Sequence, residues 1–208
     1  MPALPYKLAC ICDIRDERGR ALLLHRRKAP NMGLYSPIGG KLDVEAGESP
    51  TRCAQREIEE EAGVLVPTGA IHMLGLVSEQ AYEGHGHWLM FVFRVLVPVS
   101  VPGMVNDALE MREGVLRWCD PREVGGLALP ATDREVIWPL VRAHEPEALH
   151  DRARDLSLIK PGFFSVHIDC REVPSTPPGF TKSASGMHWR VEQSIPPAVM
   201  DGPQRRVW

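Results

Sequence analysis

Three glutamates, Glu57, Glu60 and Glu61, stand at i, i+3 and i+4 in the run Arg56-Glu57-Ile58-Glu59-Glu60-Glu61. On a helix that spacing projects their carboxylates from one face. Each like-charge pair costs roughly 0.2–0.5 kcal/mol. The run also closes its helix, where the backbone dipole disfavours negative charge. Acids held together against both effects make sense where cations neutralise them, and hard divalent ions such as Mg²⁺ prefer oxygen ligands of this kind. The plainer reading is a solvated acidic face, because glutamate is an excellent helix former.

The helix that would carry these acids has clear ends. Ser49 suits the N-cap and Pro50 the first helical position. The helix runs over Thr51–Ala62 and stops at Gly63, with Cys53, Ala54 and Ile58 on its buried side. Upstream, Tyr6–Asp13 reads as a buried strand and Asp16–Gly19 as a turn, with Arg20–Arg27 as the second strand of a hairpin. A loop-to-strand passage from Met32 ends in Gly39-Gly40, and a polar loop continues to Glu48. Downstream, Ala70–Tyr82 and His87–Pro98 predict two strands joined by the turn Glu83–Gly86. Trp88, Phe91 and Phe93 read there as strand and core residues. Gly114–Cys119 predicts another strand and Thr132–His144 a second helix, with Pro139 as a kink or boundary.

Beyond His144 the composition shifts. Glu145–Asp155 is charged and reads as helical or irregular. Gly162–Cys170 and Met187–Ser194 predict two strands around a Pro/Ser/Gly-rich loop, and the Pro-rich stretch 196–208 predicts a poorly ordered tail. The organisation expected is a main domain over 1–145, an extension over 146–195 whose β-hairpin packs on it, and the tail.

The surroundings of the acidic run resemble the Nudix box. That pattern is Gly, five residues, Glu, seven residues, then Arg-Glu-apolar-x-Glu-Glu-x-Gly-apolar. Here seven residues follow Glu48 and lead to Arg56-Glu57-Ile58-Glu59-Glu60-Glu61-Ala62-Gly63-Val64, matching every fixed position. The departure is in front, where seven residues instead of five separate Gly40 from Glu48, a loop expansion of the kind surfaces tolerate. The resemblance implies an α/β Nudix fold: an α/β/α sandwich around a mixed sheet, completed by the C-terminal β-hairpin.

It also implies a hydrolase of diphosphate linkages that uses Mg²⁺ or Mn²⁺, with roles for particular residues. Glu57, Glu60 and Glu61 would bind metal, Arg56 would orient a carboxylate, and Glu48 would support the site. Gly39, Gly40 and Lys41 would approach metal and phosphate through their backbone. Either Glu60 or Glu57 would serve as base. Relatives often add a carboxylate from a later loop: Glu113 is the first choice and Glu110 the second. Arg26, Arg27 and Lys28 end a strand where they could grip phosphates. The segment Leu129–Asp133 leading to Trp138-Pro139 is similar to the base-recognition segment of the oxidised-purine triphosphatases. That likeness implies Asp133 as a base contact, with Ser36 at the place of the family's base-contacting Asn. An 8-oxo-dGTP-like triphosphate is the substrate so implied. ADP-ribose, a dinucleoside polyphosphate or NADH are the competing substrates, and a non-catalytic nucleotide-binding regulatory module is the competing class.

Bulk properties fit this picture and exclude others. The formal net charge of −3 provides no field for nucleic acid. Five cysteines at irregular spacing argue against a disulfide framework or structural zinc and predict reduced thiols. No apolar stretch of membrane-spanning length appears. The expectation is a cytoplasmic monomer or homodimer acting on a small nucleotide, without nucleic-acid or membrane partners.

Overall fold

The computed structural model describes residues 5–29, 31–84, 86–145, 159–160 and 162–199. The strands are β1 (Tyr6–Asp13), β2 (Ala21–Arg26), β3 (Tyr35–Lys41), β4 (Ile71–Tyr82), β5 (Gly86–Val95), β6 (Ala108–Glu110), β7 (Gly114–Cys119), β8 (Ile159–Lys160), β9 (Phe163–Asp169), β10 (Thr181–Lys182), β11 (His188–Ile195) and β12 (Ala198–Val199). The helices are α1 (Pro50–Ala62) and α2 (Trp138–Ala143). Ten strands form one mixed sheet in the order β10-β11-β9-β4-β5-β1-β3-β2-β7-β6, with β1/β5 and β4/β9 parallel.

The pleat sends alternate residues to two cores. Cys10, Cys12, Leu24 and Ile38 meet Cys53, Ala54 and Ile58 of α1 on one face. Val77, Val92, Phe164 and Val166 meet Val136, Ile137 and Val141 on the other. Helices therefore cover both faces, which is the α/β/α sandwich expected of the fold. Burying a side chain such as Ile58 completely contributes about 1.5–3 kcal/mol. The α1 boundaries follow their local signals. The Ser49 hydroxyl accepts from the Arg52 N–H, Pro50 opens the helix, and Gly63 at φ 66° donates its N–H to the Glu59 carbonyl.

Several elements differ from the sequence reading. The second helix is not uniform: Asp133–Ile137 forms a π-turn with the Trp138 N–H on the Asp133 carbonyl, and α2 follows. Pro139 has no N–H to donate to the preceding turn, so the widened winding sits where an α ladder would be broken. The strand expected to reach Pro98 ends at Val95. The short strands β6, β8, β10 and β12 carry too few residues for a period to show. Of the tail expected to be poorly ordered, Ala198–Val199 pairs with Ile159–Lys160. Residues 146–158, and the tail after 199, lie outside the described residues. The expected C-terminal hairpin is β9/β11, and β9 joins β4 so that it continues the main sheet. Among the described residues no helix is long and apolar enough to cross a membrane.

Candidate active site

The box helix is tied to the sheet through one guanidinium. Arg56 donates to both oxygens of Glu48 at 2.9 Å, to Glu57 Oε1 at 2.7 Å, to Glu60 Oε2 at 3.2 Å and to the Lys41 carbonyl at 3.1 Å. The last bond joins α1 to the end of β3. Glu48 also accepts from the Asp43 N–H at 2.9 Å. Its hydrogen bonds to Arg56 hold it far below the ordinary glutamate range, at about 2. The longer loop in front of Glu48 is closed by its own bonds: Asp43 Oδ1 accepts from the Ala46 N–H at 3.0 Å, and the Asp43 carbonyl accepts from the Glu48 N–H at 3.0 Å. The expansion is taken up as a turn, and Glu48 still reaches Arg56.

Gly39 and Gly40 form a cradle for the other two carboxylates. The Gly39 N–H donates to Glu61 Oε2 at 3.3 Å. A Cβ on Gly40 would stand 2.2 Å from Glu57 Oε1, so that carboxylate packs directly against the glycine. A Cβ on Gly39 would meet the Cys10 carbonyl oxygen at 2.2 Å, which is why two small residues stand side by side here. Burial pushes Glu57 above its usual value despite Arg56. Burial, followed by the Glu57 charge, pushes Glu61 up to about 7, against the pull of the Gly39 N–H. Beneath the cradle, the free thiols of Cys10 and Cys53 lie 3.3 Å apart.

The remaining expected residues separate into two groups. Glu113 and Arg26 stand close enough for both charges to act on Glu61, and Arg26 Nη2 lies 3.6 Å from Glu113 Oε2. Strand alternation turns Arg27 outward instead, where it holds Glu110 at 2.6 Å in solvent. Glu60 lies at the rim, with 59% of its side chain exposed. Lys41 is exposed and contributes its carbonyl. Ser36 is not brought to Asp133. Its strand partner Leu24 packs on the α1 side, whereas its neighbour Pro37 lines a small apolar cavity with Asp133, Ile137 and Trp138 on the α2 side. The Ser36 hydroxyl is buried without a partner. Sequence reasoning passed over Glu79, which is buried beside Thr132 and feels the charge of Asp133. In the sequence it was simply one polar residue in a strand.

These donors fit a hard divalent cation. Glu57 and Glu61 are two carboxylates lodged against glycine backbone, and among the described residues the bonded partner of Glu61 is the Gly39 N–H. They are gathered but not yet converged: among the described residues no three acidic, thiol or imidazole groups stand in metal-holding geometry.

Residues 5–143 match the NUDIX domain family. A MutT protein from Methanosarcina mazei Go1 superposes with a TM-score of 0.54 at 25% identity, over 69% of this chain and 98% of its own. The NUDIX domain of Shewanella oneidensis NrtR, solved with ADP ribose, gives 0.53 at 20% identity over 68% and 88%. The E. coli ORF135 protein gives 0.50 at 20% identity over 73% and 96%. The last two are likenesses of fold alone.

Proposed function

This chain belongs to the NUDIX domain family, and on that premise we propose that it is a divalent-metal-dependent pyrophosphohydrolase acting on a nucleoside triphosphate, possessing a hydrolase domain over 1–145. The observation that carries the reading is the Gly39-Gly40 cradle holding Glu61 and Glu57. Glu57 and Glu61 would hold Mg²⁺ or Mn²⁺, with Glu60 and Glu113 joining from the rim. The bound ion supplies Lewis-acid charge neutralisation and makes water a better nucleophile.

The chain's own residues do the rest. Arg56 aims Glu57 and braces Glu48 against the helix. Arg26 offers its guanidinium to the phosphate oxygens. Water attacks one phosphorus, its proton passes to a carboxylate oxygen of Glu57 or Glu60, and the bridging P–O bond breaks. A triphosphate so cleaved leaves as monophosphate and pyrophosphate. Asp133 is the base contact in this reading, and an oxidised purine such as 8-oxo-dGTP is the substrate. Burial pushes Asp133 up to about 7, so near neutral pH it can serve as donor or acceptor.

The test is kcat/KM with Mg²⁺ for 8-oxo-dGTP, dGTP and ADP-ribose, with products identified by phosphorus NMR. The expected result is pyrophosphate release, fastest from 8-oxo-dGTP. Preference for ADP-ribose would remove the triphosphate assignment. Metal binding without hydrolysis of any of the three would remove the enzymatic one.

A further inference from the structure

Where α2 ends and the C-terminal hairpin joins the sheet, a histidine and a serine meet that the chemistry above does not use. His144 follows α2 directly and is 3% exposed. Its ring lies against Phe164 of β9, with centroids 5.2 Å apart. The Gly162 backbone covers it as well: a Cβ on Gly162 would stand 2.9 Å from His144 Cβ and Cδ2. This packing holds the imidazole in one orientation. Nδ1 lies 2.8 Å from the Leu140 carbonyl, one of the open carbonyls at the end of α2. Nε2 lies 2.9 Å from Ser194 Oγ. Ser194 comes from β11, where its strand partner is Phe164 of the α2-side core, and cross-strand partners share a face. The serine is exposed although the histidine is buried. Beyond Trp189, no strand pairs with the outer edge of β11 among the described residues. A reagent can reach the hydroxyl from solvent.

The proton positions follow from the partners. A carbonyl oxygen can only accept, so Nδ1 carries the N–H. In the neutral imidazole Nε2 then holds the lone pair, and the Ser194 O–H donates to it. A hydroxyl bonded to a base, with the base oriented by a third group, is the arrangement that activates a serine. The same bonds tie β11 to the end of α2. A tie alone, however, needs neither a base fixed in one tautomer nor a hydroxyl left at the surface. The positive charge that His144 gains on taking a proton is favoured at the C-terminal end of a helix.

We propose that Ser194 and His144 form an acyl-acceptor site, separate from the nucleotide chemistry, that takes the acyl group of small activated esters. Ser194 Oγ attacks the ester carbonyl and forms the new C–O bond. Its proton passes to His144 Nε2, while Nδ1–H stays on the Leu140 carbonyl. The old C–O bond breaks, and the leaving group departs with the electron pair as a stabilised anion. The imidazolium then releases its proton to solvent. The product is Ser194 carrying the acyl group on oxygen.

Brief exposure of the full chain to p-nitrophenyl acetate tests this. Peptide mass mapping locates the acetyl groups, and neutral hydroxylamine strips them from oxygen but not from lysine. In the wild type, Ser194 is expected to acquire a hydroxylamine-labile acetyl well before Ser175, another exposed serine in the same sample. His144→Asn keeps a donor toward the Leu140 carbonyl and removes the base. Acetylation of Ser194 should then slow about 10²-fold, the lower end of general-base assistance, while that of Ser175 should not change. Thermal melting checks the fold of this variant. Ser194→Ala, at an exposed position, should lose the labile acetyl even if the His144 variant fails to fold. Acetylation of Ser194 no faster than of Ser175, or an unchanged Ser194 rate in folded His144→Asn, would overturn the site and leave the pair as a tie between β11 and α2. A labile acetyl that persists in Ser194→Ala at the wild-type rate would place the reactive hydroxyl elsewhere and overturn it too.

Discussion

Two groups of acids lie on opposite faces of the same sheet, and the difference between their surroundings is sharpest between Glu48 on one face and Glu79 on the other. On the α1 side, Arg56 gathers Glu48, Glu57 and Glu60, and Glu48 is held at about 2. On the α2 side, Glu79 and Asp133 share no guanidinium among the described residues, and burial lifts them to about 8 and about 7. Glu61 sides with the second group although it belongs to the box: its bonded partner is a neutral backbone N–H, and burial lifts it to about 7. Protonation here follows the balance of arginine contact and burial: the Arg56 bonds win at Glu48, whereas burial wins at Glu57 despite its own bond to Arg56. On the α1 side Arg56 thus secures the charge of Glu48, whereas on the α2 side burial favours the protonated form of both acids.

The largest effect should come from Glu57. Glu57→Gln removes a charge from the cradle while preserving shape, and kcat should fall about 10²-fold or more at saturating Mg²⁺. Glu60→Gln, at the exposed rim, should lose less. Equal losses would mean that the cradle does not distinguish the two acids. Next in size is Gly40→Ala, whose new methyl must displace the Glu57 carboxylate. An activity loss of roughly tenfold is expected, on the scale of one misplaced group, with melting temperature nearly unchanged. Activity at the wild-type level would show that the contact is incidental.

Arg56→Met should act more on stability than Glu57→Gln does. It leaves Glu48, Glu57 and Glu60 without their shared donor. Charge-assisted bonds contribute about 1.5–3 kcal/mol each in favourable cases, but a third of this side chain is open to solvent, so a net loss of about 1–3 kcal/mol is expected after screening. Urea unfolding of the metal-free protein measures it. A change within error would place the role of Arg56 in catalysis alone.

The α1 group was legible in the sequence because its signals are local. Ser49, Pro50 and Gly63 mark the helix ends, and Arg56 and the glutamates stand within two turns of one another. The loop before Glu48 was legible only as an irregularity; its closure through Asp43 is a three-dimensional fact. The α2 pair was half legible. Asp133 was reached by likeness to a base-recognition segment, but Glu79 comes to it only when β4 packs under the π-turn, and nothing near Glu79 in sequence announces that contact. Ser36 shows the converse error of proximity. It lies near Gly39 in sequence, yet pleating turns it away from Asp133. The π-turn was hidden because Pro139 marked an interruption without saying whether the chain would stop, kink or widen.

The smallest effect expected is also the most direct test of the contrast between the two faces, because it needs no substrate. Glu48 has its folded value depressed below the ordinary 4.5, so its stabilisation is present above that pH and is lost as pH falls toward about 2. Glu79, Asp133 and Glu61 have theirs raised. Between their ordinary values and about 7–8, the folded state holds protons that the unfolded state has released, so stability declines as pH rises through that window and flattens above it. Each such proton gives a slope of about 1.4 kcal/mol per pH unit at most. Melting temperature in chelator should therefore fall on both sides of mildly acidic pH. Glu48→Gln should flatten part of the acid limb only, because Asp13 and Asp169, also held low, keep the rest. Glu79→Gln should flatten part of the alkaline limb only, and Mg²⁺ should remove the part due to Glu61, because metal binding favours the deprotonated carboxylate. If Glu79→Gln instead left the alkaline limb unchanged, Glu79 would be ionised in the folded protein, and the two faces would not differ in the way their arginines suggest.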